Sequence, residues 1–225
     1  MNAQRTRFFS LTLGFAALAL ILAHGALRAA PVPALAAFDD AFAKVHDYTV
    51  TLRAHEVSGS RTQDRVYHYW YRKPNDAKIE IASGEGAGGG GVWTGGDQVS
   101  GHQGGFLISK FHLKVGLHDG RAVSLRGYTI PDGLFPNEVE KYRTIKGQLS
   151  EGAGPTVDGQ ATDAVTLNVA DPAAVGGVTR MVLDLSKATH MPVRQIRYQG
   201  DQIVADEIWS ELKTNVGLSE RDFPF

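Results

Sequence analysis

The sequence predicts a mainly β protein with a few short helices, built as a highly curved antiparallel sheet or a barrel. Three observations carry this. Short alternating segments follow one another with turn residues between them through most of the chain. Only two stretches show helical spacing of apolar residues, which fits an α+β chain dominated by strands. The stretch Val66–Ile81, VYHYWYRKPNDAKIEI, reads as two strands joined at Pro74-Asn75. Its first strand puts Tyr67, Tyr69 and Tyr71 on one face and Val66, His68 and Trp70 on the other. Both faces are too apolar for a sheet with one wet side. Either the sheet is covered twice or one face lines a cavity.

The 225 residues suit one domain with a sizeable core. There is no cysteine, so no disulfide framework, thiolate metal site or lipid-anchoring cysteine is available. Residues 1–36 read as a secretory signal peptide: Arg5 and Arg7, then an apolar run over Phe8–Leu22, then small residues. Cleavage is expected after Gly25 or after Ala36, leaving one domain over residues 37–225. The apolar run is shorter than the ~20 residues a membrane-spanning helix needs. The chain carries 23 Lys and Arg against 24 Asp and Glu, a net charge of −1. Residues 1–36 hold three arginines and no acid, so the mature chain is more acidic and has no electrostatic drive toward nucleic acid.

Ala34–His46 is the first predicted helix, with Phe38, Phe42 and Val45 on one stripe and Asp39, Asp40 and Lys44 on the other. Tyr48–Val57 alternates and reads as a strand, closed by the turn Ser58-Gly59-Ser60. After the Val66–Ile81 pair, Gly84–Gly91 holds six glycines in eight residues and matches G-x-G-x-x-G. A dinucleotide site needs a helix next, and here the strand Val92–Thr94 follows instead. The segment is therefore expected to be a flexible, poorly ordered hairpin connection. Gln98–His102 is a short strand and Phe106–Val115 a further strand or pair. Pro131-Asp132-Gly133 marks a turn, and Pro136–Lys146 a helix with Glu138 in its first turn. Strands are expected at Asp163–Val169, Val178–Leu185, Pro192–Tyr198 and Ile203–Lys213, the last two joined at Gly200-Asp201.

Catalytic motifs are missing. No serine sits in G-x-S-x-G, and the histidines show neither H-x-x-x-H on a helix nor H-x-H on a strand. His112 and His118 read as solvated loop residues and His68 as a half-buried one. No two acids fall where they could share a substrate. The expected protein is not an enzyme and uses no cofactor or metal, although a hydrolase with an unrecognised site is a third reading.

Several segments in order resemble the periplasmic outer-membrane lipoprotein carrier (LolA/LolB-like) superfamily. They are the strand DYTVTLRAHE, the run Tyr69-Trp70-Tyr71-Arg72-Lys73-Pro74-Asn75, the strand Lys78–Ile81, the turn Gly96-Asp97-Gln98-Val99 and the ending Phe223-Pro224-Phe225. The resemblance implies an incomplete antiparallel barrel whose apolar concave face is covered by a helical lid, as a monomer in the periplasm. It implies a carrier for lipoprotein acyl chains or other lipids, with membrane proteins as exchange partners. Phe38, Phe42, Tyr69, Trp70, Tyr71, Ile79, Ile81, Trp93 and Trp209 are then the candidate cavity or lid residues. The family's gating arginine precedes the proline; here that position is Lys73, after Arg72, and lysine lacks the planar fork that clamps lid carbonyls. This departure, with the glycine insert, points to a divergent branch. The alternative is a lipid-sensing or protein-interaction module of the envelope on the same fold.

Overall fold

A computed structural model describes residues 32–104 and 113–224. The expected signal segment up to residue 31, His112 and most of the expected 106–115 strand lie outside these residues. Among the described residues, eleven strands form one antiparallel sheet in the order β6-β5-β4-β3-β2-β1-β11-β10-β9-β8-β7. They are β1 Asp47–Ser58, β2 Arg61–Arg72, β3 Asp76–Gly84, β4 Gly90–Trp93, β5 Gln98–His102, β6 Leu113–Gly116, β7 Gly147–Ala153, β8 Thr162–Val169, β9 Arg180–Ser186, β10 Pro192–Gln199 and β11 Gln202–Thr214. The end strands β6 and β7 do not pair, so this is the curved, incomplete barrel expected. The first and last long strands meet at its centre, where β1 pairs with β2 on one side and β11 on the other.

The alternation read from the sequence sets the two faces. Tyr48, Val50, Leu52 and Ala54 of β1 point inward beside Tyr71, Tyr69 and Tyr67 of β2, and all are buried. Two helices cover part of this inner face: α1 Pro33–Phe42 and α2 Phe135–Thr144. Both begin with proline in the first turn, where its missing N–H costs nothing. α2 also places Glu138 at its start and Lys141 and Arg143 at its end, matching the helix dipole. Phe42 lies 6.3 Å from Tyr71, Phe135 stacks on Tyr48 at 4.7 Å, and Phe135 meets Trp209 edge-on at 5.8 Å. Arg143 ties the helices together through Asp39, at 2.8 and 2.7 Å. Under the helices the half-barrel is therefore a filled core.

One expectation changes, and one strand was not expected. The glycine run is not a loose connection: Ile81 N–H donates to Gly89 O and Gly88 N–H to Ile81 O, which closes a defined turn. Gly84, Gly86 and Gly88 take positive φ there, a conformation glycine reaches without a Cβ clash. The sequence also hid β7. Gly147–Ala153 is an exposed edge strand paired only with β8, so it shows almost no apolar alternation.

Candidate functional site

The inner face beyond the helices is hollow. Between β1–β5 and the segment 120–133 lies a cavity of about 460 Å3. Its wall is built strand by strand from Leu52 and Ala54 (β1), Tyr67 and Tyr69 (β2), and Ile79 and Ile81 (β3). Ile79 pairs with Gly91 of β4, and Gly91 with Gly101 of β5. Gly91 puts no side chain where a larger residue would enter the space, and at Gly101 a Cβ would strike Gly90 O at 2.6 Å, so only glycine lets the two strands lie this close. Gly133 serves the opposite wall, since a Cβ there would sit 2.5 Å from the Tyr69 hydroxyl.

The roof is a strap without regular structure until the 3₁₀ turn Ile130–Gly133. It is fixed by polar contacts to the far end of β1. The Glu56 carboxylate accepts hydrogen bonds from Ser124 Oγ and from Arg126 N–H, both at 2.8 Å. Gln63 Oε1 accepts from Leu125 N–H, and the Arg126 guanidinium donates to Val57 O. Next to this roof, buried Arg197 of β10 bridges Glu207 of β11 and Glu138 of α2, at 2.6 Å each. Lys141 joins the network through Glu138 and Asp132, and the Tyr128 ring lies 4.3 Å from the Arg197 guanidinium. Burial pushes the Glu207 carboxyl up to about 7 against the pull of Arg197, and Glu138 adds to the rise.

The cavity is thus graded along β1. Tyr69 and Ile79 lie at its apolar end; Arg65, Glu207 and Glu56 lie at its polar end. Such a space takes an elongated molecule with one polar terminus. Among the described residues, no three His, Asp or Glu converge as a metal-binding set.

The residues singled out from the sequence do not stand together. Tyr69, Ile79 and Ile81 line the cavity. Phe38, Phe42, Tyr71 and Trp209 are placed in the filled core under the helices. Trp70 is on the outer face, because strand alternation turns it away from Tyr69; there it meets Lys78 at 4.6 Å. Trp93 packs at the edge of the core and donates to Gly96 O. Arg72 binds Asp76 and covers the Phe223 ring. Lys73 Nζ donates to the last-turn carbonyl of α1, Phe42 O, at 2.7 Å and lies 4.4 Å from that residue's ring. One lysine donor thus reaches a helix carbonyl without a fork, and burial lowers its pKa.

Sequence reasoning missed Glu56, Glu207 and Arg197. A signal existed: Glu56 continues the inward series Tyr48, Val50, Leu52, Ala54, and Glu207 lies two residues from inward-facing Trp209.

Comparison with solved structures places this architecture. The chain matches an uncharacterized conserved protein from Thermus thermophilus with a TM-score of 0.55 at 11% identity, covering 85% of this chain and 90% of that one. It matches MucB with a TM-score of 0.52 at 15% identity, covering 86% of this chain but only 62% of MucB, which also matches as its complex with MucA(peri). A LolA superfamily protein from Nitrosomonas europaea aligns at 10% identity with a TM-score of 0.40, over 86% and 96% of the two chains. The Thermus protein and MucB share this fold. No family model and no curated protein matches the chain.

Proposed function

We propose that the protein binds the acyl chain of a lipid or lipoprotein in the cell envelope and carries or presents it without catalysis. The cavity is the observation that carries this reading. At about 460 Å3 it is roughly three times the ~150 Å3 engineered cavity that takes up benzene, so a long single chain fits. Its size is in the ordinary range for ligand sites. Burying ten methylenes contributes on the order of 8 kcal/mol before entropy losses, near micromolar affinity. That is tight enough to hold a chain and weak enough to release it.

Lys73 holds the end of α1 across the same inner face, and Leu52 and Tyr69 belong to both the core and the cavity wall. Opening α1 would therefore extend the hollow. The test is native mass spectrometry of protein purified from cells, with extraction of whatever is bound. A near-stoichiometric lipid is expected. A stable protein that is empty and binds no acyl probe after purification would overturn the reading. The likeness to MucB, which forms a complex with MucA(peri), favours a second reading as an envelope interaction module. A partner captured equally well by lipid-free protein would support it.

A further inference from the structure

We propose that Glu207 and Glu56 form a head-group subsite at the polar end of the cavity, which takes a hydrogen-bond donor, an ammonium or a hydroxyl, at the end of the bound chain. This rests on the acyl-binding reading above and narrows it to a class of amphiphile.

The two acids are diagonal neighbours on one face. Glu207 pairs with Ala54, Glu56 lies two residues on and pairs with Ala205, and both belong to the cavity wall. Such diagonal positions are about 7–8 Å apart, a separation one small head group can bridge. The residues are only 5% and 3% exposed. In each, Oε2 takes all the hydrogen bonds found among the described residues: from Arg197 in Glu207, from Ser124 and Arg126 in Glu56. The Oε1 atoms have no such partner, yet neither is shut away from accessible space. In a buried residue on a cavity wall, that leaves an acceptor aimed at whatever fills the cavity. An acceptor so placed is costly to leave unmet, so a ligand donor is favoured there.

The cations nearby do not offer the opposite chemistry. Arg65 donates to Glu85 O at 2.7 Å and to the Tyr67 hydroxyl and pairs with the Glu85 carboxylate at 3.5 Å, and Arg121 chelates Asp119 at 2.8 and 2.7 Å. Arg126 donates to Val57 O and Gly176 O, and Arg197 is divided between two carboxylates. In the buried network, Asp132, Glu138 and Glu207 face only Arg197 and Lys141. With Glu207 protonated, the network is neutral; with it ionised, one negative charge is uncompensated. An ammonium would balance it and a hydroxyl would donate to it, whereas an anionic head group would be repelled.

The test is calorimetric titration of delipidated protein with probes of one chain: laurylamine, monolaurin, methyl laurate and lauryl sulfate. Laurylamine and monolaurin are expected to bind at least tenfold more tightly than lauryl sulfate, with methyl laurate between. Glu207→Gln should bring those ratios close to one. Glu56→Gln, which leaves the Arg197 contacts intact, should reduce them partway and covers the case in which the first variant does not fold. Equal binding of all four probes to the wild type, or a preference that survives both substitutions, overturns the subsite while leaving the acyl cavity standing. Binding of none of the probes removes the cavity reading, and the subsite with it.

Discussion

Gly91→Leu tests the cavity most directly. Gly91 lies on β4 between Ile79 and Gly101, with its missing side chain aimed at the hollow. Its φ is outside the left-handed region, so the backbone accepts any residue. A Cβ would meet Ile130 Cδ1 and Val99 Cγ1 at 3.1 Å, both ends of side chains that border empty space and can shift. Leucine adds four carbons. At about 30 Å3 each, comparable with a water's share of liquid volume, they take roughly 120 Å3, about a quarter of the cavity. A chain that fills the wild-type cavity then loses the burial of about four methylenes. At about 0.8 kcal/mol each this is ~3 kcal/mol, or roughly 200-fold in affinity. A chain four carbons shorter should bind both proteins alike. The assay is a series of saturated acyl probes of increasing length, titrated into each protein. Urea unfolding should first confirm that overpacking has cost no more than about 1–3 kcal/mol. A folded variant that binds the longest probe as tightly as the wild type would show that the chain does not occupy this space.

Three other outcomes follow from the contacts described. Lys73→Met removes a charged hydrogen bond and a cation–π contact from the end of α1, about 2 kcal/mol together, so α1 amides should exchange roughly thirtyfold faster; unchanged exchange would mean that Lys73 does not hold the helix. Arg197→Met leaves Glu138 and Glu207 buried without their shared cation and should cost about 3–5 kcal/mol, a fall in Tm of roughly 6–20 °C. Adding Glu138→Gln and Glu207→Gln should restore most of it, and a loss under about 1 kcal/mol in the single variant would contradict the network. Asp184 carries the pH prediction. Burial pushes its carboxyl up to about 6, with Arg194 opposing and Asp206 adding to the rise. Unfolded, the group ionises near pH 4, so stability falls as pH rises from about 4 to 6 and stays lower above. Asp184→Asn should thus gain about 1–2 kcal/mol over the wild type at pH 8, after discounting for solvent screening, and nothing at pH 4. An equal gain at both pH values in urea titrations would refute the assignment.

The fold was legible because its signal is local. Alternation in Tyr48–Val57 and Ile203–Lys213 marks β1 and β11 to within one residue at each end, and apolar spacing at Phe38 and Phe42 marks α1. Both are one-dimensional patterns imposed by backbone geometry. β7 escaped because an exposed edge strand has no core face to write into the sequence. The glycine run escaped because positive φ values and hydrogen-bonded turns look, in composition, like a flexible linker.

By itself the sequence determined a mainly β chain, two short amphipathic helices, and the faces on which Tyr69, Ile79 and Ile81 stand. Only the tertiary structure decided where the inner face is filled and where it is hollow. An inward aromatic looks the same in sequence whether a helix or empty space lies opposite. Tyr71 and Tyr69 are two residues apart on one face, yet Tyr71 packs against Phe42 while Tyr69 borders the cavity. The difference lies in what the chain brings across from residues far away: α1 and α2 over one half, and a thin strap tied down at Glu56 over the other. The same holds for charge. Glu207, Arg197 and Glu138 come from three elements up to 69 residues apart, and their mutual neutralisation in a buried site is set by packing distance, which no periodicity in the sequence encodes.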